Sequence, residues 1–374
     1  MPKVLFGDVA KECRETFKGS LDDVPVVGLE HLEPECVQLT LWDTAADNTF
    51  TKAFHKGQML FGRRRAYLKK AAQAPFDGIC SGDITVIEAV PEMLSSNLLP
   101  FIVQNDDFFD FAVGHSAGSL SPRVKWEHLK NYEFNLPDMA EQEKLAEVLW
   151  AMERTKTAYK NLIAQTDELV KSRFVEMFGD VFTGEYNYPT RKLGDVAEVG
   201  SSHRVFTTEF VERGIPFYRG TEIGELANGQ QPSDPYYISE EHYNRIADEE
   251  SKPKYGDILM PSICNKGQVW MVDTNEPFYY KDGRVLSISA DRDIFNTRYL
   301  QFFMKLKTEV EYPKMGSGST FAEFKIFMLK DMDVIVPPRD KQDEYERFWI
   351  QADKSKYVAL KTTNFLIESC IMKS

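Results

Sequence analysis

From Asp138 to Phe178 the chain contains neither proline nor glycine. Within that stretch Leu145, Leu149, Met152, Lys156, Tyr159, Ile163, Thr166 and Val170 follow in alternating steps of four and three. That is the heptad spacing that lays a narrow seam along one side of an α-helix. Asp138, three residues ahead of Glu141, has the form of an N-cap, and Gly179 is a stop signal. The pattern predicts one helix over 137–178, roughly 60 Å long at a rise of about 1.5 Å per residue. A rod of that length exceeds what one small domain needs, so it divides the chain.

The two parts repeat each other. Gly7-Asp8-Val9-Ala10 recurs as Gly194-Asp195-Val196-Ala197, 187 residues on. HKGQMLFG at 55–62 is echoed by KYGDILMP at 254–261, Gly57 falling on Gly256. HSAGS at 115–119 is echoed by MGSGS at 315–319, and LKNYEFNLP at 129–137 by LKDMDVIVP at 329–337, now at an offset of 200 that also carries Gln142 onto Gln342. At the same offset Tyr345, Trp349, Ala352, Lys356, Ala359, Thr363, Leu366 and Cys370 reproduce the seam, in a second stretch free of proline and glycine over 341–373. Matched blocks in one order indicate a tandem duplication. The expected division is a globular unit over 1–136, a helix over 137–180, a second unit over 181–336 and a second helix over 337–374.

Each unit reads as α+β, with a small twisted sheet and helices. Runs 24–29, 57–62, 83–89, 215–220, 257–263 and 284–290 have strand composition, and 91–103 and 296–307 are helical patches. A seam this narrow cannot bury itself within one helix. The two long helices are therefore expected to form an antiparallel coiled coil, with the units related by a pseudo-twofold axis. Leu145, Leu149, Met152, Tyr159, Ile163, Val170, Tyr345, Trp349, Ala352, Ala359 and Leu366 would supply that coiled coil or dock a partner.

Hydrophobic residues make up 43% of the chain, which places it among globular proteins. No apolar run approaches the ~20 residues of a membrane span, and Cys13, Cys36, Cys80, Cys264 and Cys370 include no CxxC pair. Neither a zinc site nor a disulfide framework is indicated, and a cytoplasmic location is expected. The formal net charge of −13 opposes a uniformly nucleic-acid-binding surface, but distribution matters more than the sum. Between Asp47 and Asp77 stand Lys52, Lys56, Arg63, Arg64, Arg65, Lys69 and Lys70 with no acidic residue among them. Acidic residues gather instead at 106–110 and 240–250.

Catalytic signatures are missing. Gly57 and Gly62 have the glycine spacing of a phosphate loop without its Lys-Ser/Thr. VPPR at 336–339 does not match an amino-methyltransferase NPPY loop, and the histidines show no HExxH spacing. No metal site is expected, and the chain reads as a non-enzyme by itself. Two similar but diverged heads at a fixed separation suit a split DNA site with unlike halves, because dimeric DNA readers match half-site spacing with their symmetry.

The GDVA openings, the run FDGICSGDITVI at 76–87, the GS blocks at 118–119 and 318–319, and the helix starts LPDMAEQ and VPPRDKQ at 136–142 and 336–342 resemble the specificity subunit of a type I restriction–modification system. The resemblance covers essentially the whole chain. It implies alternating target-recognition domains and helical spacers, double-stranded DNA as ligand, and two methyltransferase subunits plus restriction subunits as partners. It also implies that S-adenosylmethionine, ATP and Mg serve those partners, with no cofactor in this chain. The chain departs from an even repeat in its second helix, where Pro338 replaces Asp138 and the seam holds Ala, Thr and Cys. A type IIB-like specificity subunit and a protein-binding coiled-coil scaffold are the alternatives.

Basic side chains on phosphates supply affinity and base-edge contacts supply choice. In the first head the candidates are Arg63, Arg64, Arg65, Lys69 and Lys70, with Tyr67 packing on sugar. In the second they are Ser201, Ser202, His203, Arg204, Arg219, Asn265, Lys266 and Gln268. Ser119, Ser319 and Thr320 lie in glycine-containing turns whose N–H groups suit a phosphate.

Overall fold

In the computed structural model, residues 2–44, 49–248, 251–315 and 322–371 are described, with the backbone alone beyond Lys356. The chain forms two compact units. One comprises 1–161 and 359–374, the other 162–358.

Strand Met59–Gly62 shows why each head is layered. Met59 and Phe61 point into one core with Phe6, Ile87, Phe108 and Leu129, while Leu60 points into another with Val27, Phe54, Cys80 and Val86. A strand's side chains alternate faces, so an all-apolar strand must be covered on both sides. Ile258–Pro261 behaves identically: Ile258 and Met260 join the core around Phe174 and Tyr299, and Leu259 joins Ile223, Trp270 and Phe278.

These strands sit at equivalent places in two antiparallel four-stranded sheets. The first runs Ala10–Cys13, Ile84–Ala89, Met59–Gly62, Ala71–Gln73. The second runs Ala197–Gly200, Val285–Ala290, Ile258–Pro261, Trp270–Met271. Each head is closed by a short pair with the same offsets, Lys3 opposite Asn135 and Thr190 opposite Ile335. The expected small sheet is thus accompanied in each head by another layer, and these second layers differ. Val26–Val27, Gly78–Cys80 and Lys52–Phe54 make three strands in the first head. The second head has four, Phe210–Val211, Tyr236–Ile238, Ile215–Tyr218 and Tyr279–Tyr280. It also carries helices Gly220–Ala227 and Glu240–Ile246. Of the helical patch at 91–103, only Leu99–Val103 is helix, with Pro100 in its first turn. The patch at 296–307 is realised as Thr297–Glu311, capped by the Asn296 side chain.

The long helices are Met139–Phe178 and Arg339–Ile371. Asp138 Oδ1 accepts from the Glu141 N–H at 3.0 Å, which makes the predicted N-cap. Gly179 ends the helix at φ +97°, and a Cβ there would stand 2.2 Å from the Glu185 carbonyl oxygen. Within 162–358 the two helices meet running in opposite directions. Tyr345 Oη donates to the Val170 carbonyl at 3.4 Å, Arg173 pairs with Glu344 at 2.8 Å, and Lys356 reaches back to Asp167.

Candidate nucleic-acid interface

The turn that leaves Met59–Gly62 spans 63–70, and the turn that leaves Ile258–Pro261 spans 262–269. The two turns join equivalent strands of the two equivalent four-stranded sheets. Their backbones are held alike. The Arg63 N–H donates to the Asp83 carbonyl and the Ser262 N–H to the Arg284 carbonyl, while Arg63 and Ser262 carbonyls accept from Val124 and Phe324. Both strands begin at a left-handed glycine, Gly57 at φ +89° and Gly256 at +85°. The next side chain closes each of those turns: Gln58 Oε1 accepts from the His55 N–H at 2.7 Å, and Asp257 Oδ2 from the Lys254 N–H at 2.8 Å.

In the first head the 63–70 turn is a single 3-10 turn, Ala66–Leu68, flanked by Arg65 and Lys69 at φ 55° and 51°. Non-glycine residues held there carry strain of about 1 kcal/mol or more each, and such strain gathers at functional turns. Arg65 and Tyr67 are exposed and have no side-chain hydrogen bond or ion pair among the described residues. Arg63 Nε is buried without a partner among the described residues. Arg64 donates to Ser121 Oγ and lies 3.6 Å from Asp83. Lys69 pairs with Asp106, and Lys70 Nζ donates to the Leu29 carbonyl at 2.7 Å. The predicted basic run is therefore a cluster in which Arg65 and Tyr67 face solvent, while Arg64, Lys69 and Lys70 are aimed by partners.

In the second head Asn265 and Lys266 are exposed on the equivalent turn. Gln268 Oε1 accepts from the Lys266 N–H at 3.0 Å, and Gly267 takes φ +62°. Among the remaining candidates Ser201, Ser202 and Arg219 are partly buried, while His203 and Arg204 are exposed but have partners. Ser201 Oγ donates to the Val285 carbonyl and Ser202 Oγ to that of Tyr280. His203 Nε2 contacts Asp248 at 2.6 Å, which holds that carboxyl well below its usual range. Arg219 lies over the Tyr236 ring and pairs with the buried Glu222, while Arg204 lies over Phe206. Ser119 is exposed, and Ser319 and Thr320 fall outside the described residues.

Along the first helix the head takes the opening turns. Ala146 is buried and Leu149 and Trp150 pack on the first core, which leaves Leu145 39% exposed. Met152, Tyr159 and Ile163 are half-buried and Val170 is buried. Tyr345 is buried, and Trp349 and Ala352 pack on the second core, the Trp349 ring lying 4.2 Å from the Arg298 guanidinium. The side chains of Ala359 and Leu366 lie outside the described residues.

In the loop 115–123 sequence reading singled out Ser119 but missed Arg123. Arg123 forms a two-armed contact with Asp83, Nε to Oδ1 at 2.7 Å and Nη2 to Oδ2 at 3.1 Å, and this lowers the carboxyl pKa. Asp83 and Arg123 are 40 residues apart, with no shared pattern to link them. Among the described residues no cluster of His, Cys, Asp and Glu is placed to hold a metal ion, and no helix is long and apolar enough to cross a membrane.

No family model matches the chain. A Haemophilus influenzae protein named as a putative type I restriction enzyme specificity subunit is 30% identical over 154 residues, 40% of this chain and 36% of its own length. The specificity subunit of the Escherichia coli type I restriction enzyme EcoDI is 23% identical over 188 residues, 48% of this chain and 42% of its own. The matches thus span about two fifths of these relatives' length. A crystal structure of the type I restriction–modification S subunit from M. genitalium covers 99% of this chain and 93% of its own at 12% identity, with a TM-score of 0.60. A chain from structural work on assembly and conformational transition of the type I R-M system covers 99% of this chain and 95% of its own at 18% identity, with a TM-score of 0.54. The two sequence relatives are thus named as type I restriction enzyme specificity subunits, and the two solved structures, both from type I restriction–modification systems, share this chain's fold.

Proposed function

We propose that this chain reads a split double-stranded DNA target, one half with each head, and passes that choice to catalytic partners. One observation carries the reading: two heads that share the order of one four-stranded sheet carry equivalent turns on it, 63–70 and 262–269, that bear different side chains. A shared scaffold with unlike reading groups suits a target with unlike halves. In the first head Arg65 is free to fork onto phosphate or guanine, and Tyr67 to lie on sugar. Among the candidates of the second, His203, Arg204, Asn265 and Lys266 are exposed. Methylation and cleavage belong to two methyltransferase subunits and to restriction subunits, which bring S-adenosylmethionine, ATP and Mg. Leu145, Val148, Leu162 and Leu169 on the first long helix and Ile350 on the second are exposed apolar side chains suited to docking them.

Selection from random duplexes by the full chain, with and without a methyltransferase partner, tests this. Two separated preferred blocks are expected. Replacing Arg63, Arg64 and Arg65 together by alanine should weaken binding and flatten its salt dependence, by up to about one unit of log–log slope for each phosphate no longer neutralised. Unchanged affinity and slope would remove the first-head assignment. A chain that enriches no sequence under either condition would favour a protein-binding scaffold.

A further inference from the structure

The 115–123 loop of the first head is stapled at both ends and carries an apolar tip. The Ala117 and Arg123 backbones pair with each other, and the Arg64 and Arg123 backbones form a second bridge. Arg65 N–H donates to the Pro122 carbonyl at 2.8 Å, and Gly118 turns the chain at φ +117°. At the tip Leu120 is 90% exposed. It projects from a loop whose neighbours Arg64, Arg65 and Arg123 are cationic. A leucine held in water by a braced loop gains nothing from folding, and the arginines beside it favour an anionic surface.

The brace has an equivalent in the second head with its charges exchanged. Asp83 and Arg284 hold the same backbone position, each carbonyl accepting from the first residue of its reading turn. Arg123 and Glu323 directly precede Val124 and Phe324, whose N–H groups donate to those same turn residues. Arg123 pairs with Asp83, and Glu323 pairs with Arg284. The contact is kept while the arginine moves from the loop to the strand turn, which indicates that the pairing itself is what the site requires.

We propose that the 117–123 loop is a second reading element of the first head: the Asp83–Arg123 pair is a positioning clamp, and Leu120 makes an apolar contact to a base edge in duplex DNA. The only apolar group on the major-groove edges is the thymine methyl, so Leu120 selects a thymine. This rests on the DNA reading above and adds to it a residue and a base.

The test uses the full chain with Asp83→Arg, Arg123→Glu, both together, and Leu120→Ser. Hydrogen exchange of 115–123 is followed without DNA, and discrimination at each target position is measured on the selected duplex. Each single charge change should speed exchange in the loop and lower discrimination in one half-site alone. The double exchange rebuilds the pair with the polarity found in the second head, and it should restore both. Leu120→Ser should leave exchange unchanged and weaken binding about fourfold or more for each thymine methyl left in water. Uracil at the selected thymine should produce the same loss in the unaltered chain and no further loss in Leu120→Ser. Unchanged exchange in the single variants, or a double variant as mobile as either, overturns the clamp. Unaltered discrimination in Leu120→Ser overturns the base contact. An unaltered chain that selects no sequence overturns the DNA reading and Leu120's part in it, while hydrogen exchange still decides the clamp.

Discussion

Gly7 and Gly194 open matched motifs, and their surroundings explain the match. A Cβ on Gly7 would stand 2.7 Å from Lys130 Cβ, and one on Gly194 would stand 3.0 Å from Lys330 Cβ. Each glycine lets its own helical turn, Phe6–Val9 or Leu193–Asp195, lie against the short helix at the end of its head, Trp126–Leu129 or Ile326–Lys330. At Gln58 and Asp257 the same turn is closed by a neutral and by an ionisable group. Asp257 is buried, also accepts from Ser289 Oγ at 2.8 Å, and its pKa is raised because burial penalises the carboxylate. The folded state therefore takes up this proton at higher pH than the unfolded chain. Asp257 thus costs stability above its folded pKa, and that cost is relieved as the pH falls toward the ordinary carboxylate range. Asp257→Asn keeps the Lys254 N–H bond through its oxygen and reverses the other, its amide donating to Ser289 Oγ as the Gln58 amide donates to Glu88 Oε2 in the first head. It should raise the urea midpoint at neutral pH while flattening its pH dependence above the ordinary carboxylate range. An unaltered pH profile would count against the assignment. The glycines and the G-Q/G-D pairing were legible as repeats. Burial of Asp257, and the left-handed Arg65 and Lys69, were not, because neighbours distant in sequence impose them.

Among the elements, a matched buried glutamine helps to fasten each long helix to its head. Gln142 accepts from the Ser95 N–H and donates to the carbonyls of Met93 and Pro137, at 2.9, 3.1 and 3.0 Å. Gln342 accepts from the Asn296 N–H and donates to those of Ile294 and Pro337, at 2.8, 3.0 and 2.8 Å. Both are buried, at 2% and 0% exposure, so their partners have no water to turn to. Gln342→Leu should destabilise the second head by on the order of 3 kcal/mol, since each buried polar group left unsatisfied costs about 1–3 kcal/mol. Calorimetry of the full chain reads the shift, and a leucine variant melting like the unaltered chain would show that the fastening is dispensable. The offset of 200 made the two glutamines a visible pair. Their role was not visible, because Ser95 and Asn296 share no residue type and only the fold sets them at one place. Leu145 illustrates the same limit: heptad spacing marks a seam, but the head covers Ala146 instead, and the helix's first turns follow the head.

For the whole molecule, the reading proposed above makes the helices the element that sets the distance between half-sites. Seven residues inserted into the first helix preserve the seam and add about 10 Å of rise, so the tolerated gap should lengthen by at most about three base pairs at about 3.4 Å each. Each half-site should keep its own sequence. Selection with the lengthened chain measures both, and an unchanged gap would end the ruler idea. The sequence alone determined the duplication, the two long helices, the α+β character of the heads and the family resemblance, because repeated spacing and helical periodicity are local properties that survive divergence. Tertiary structure decided which polar residues are exposed and which brace a turn, and it brought Asp83 to Arg123 and Arg284 to Glu323. Those depend on contacts between distant segments, where either polarity of a pair satisfies the same geometry and so leaves no fixed residue type to read.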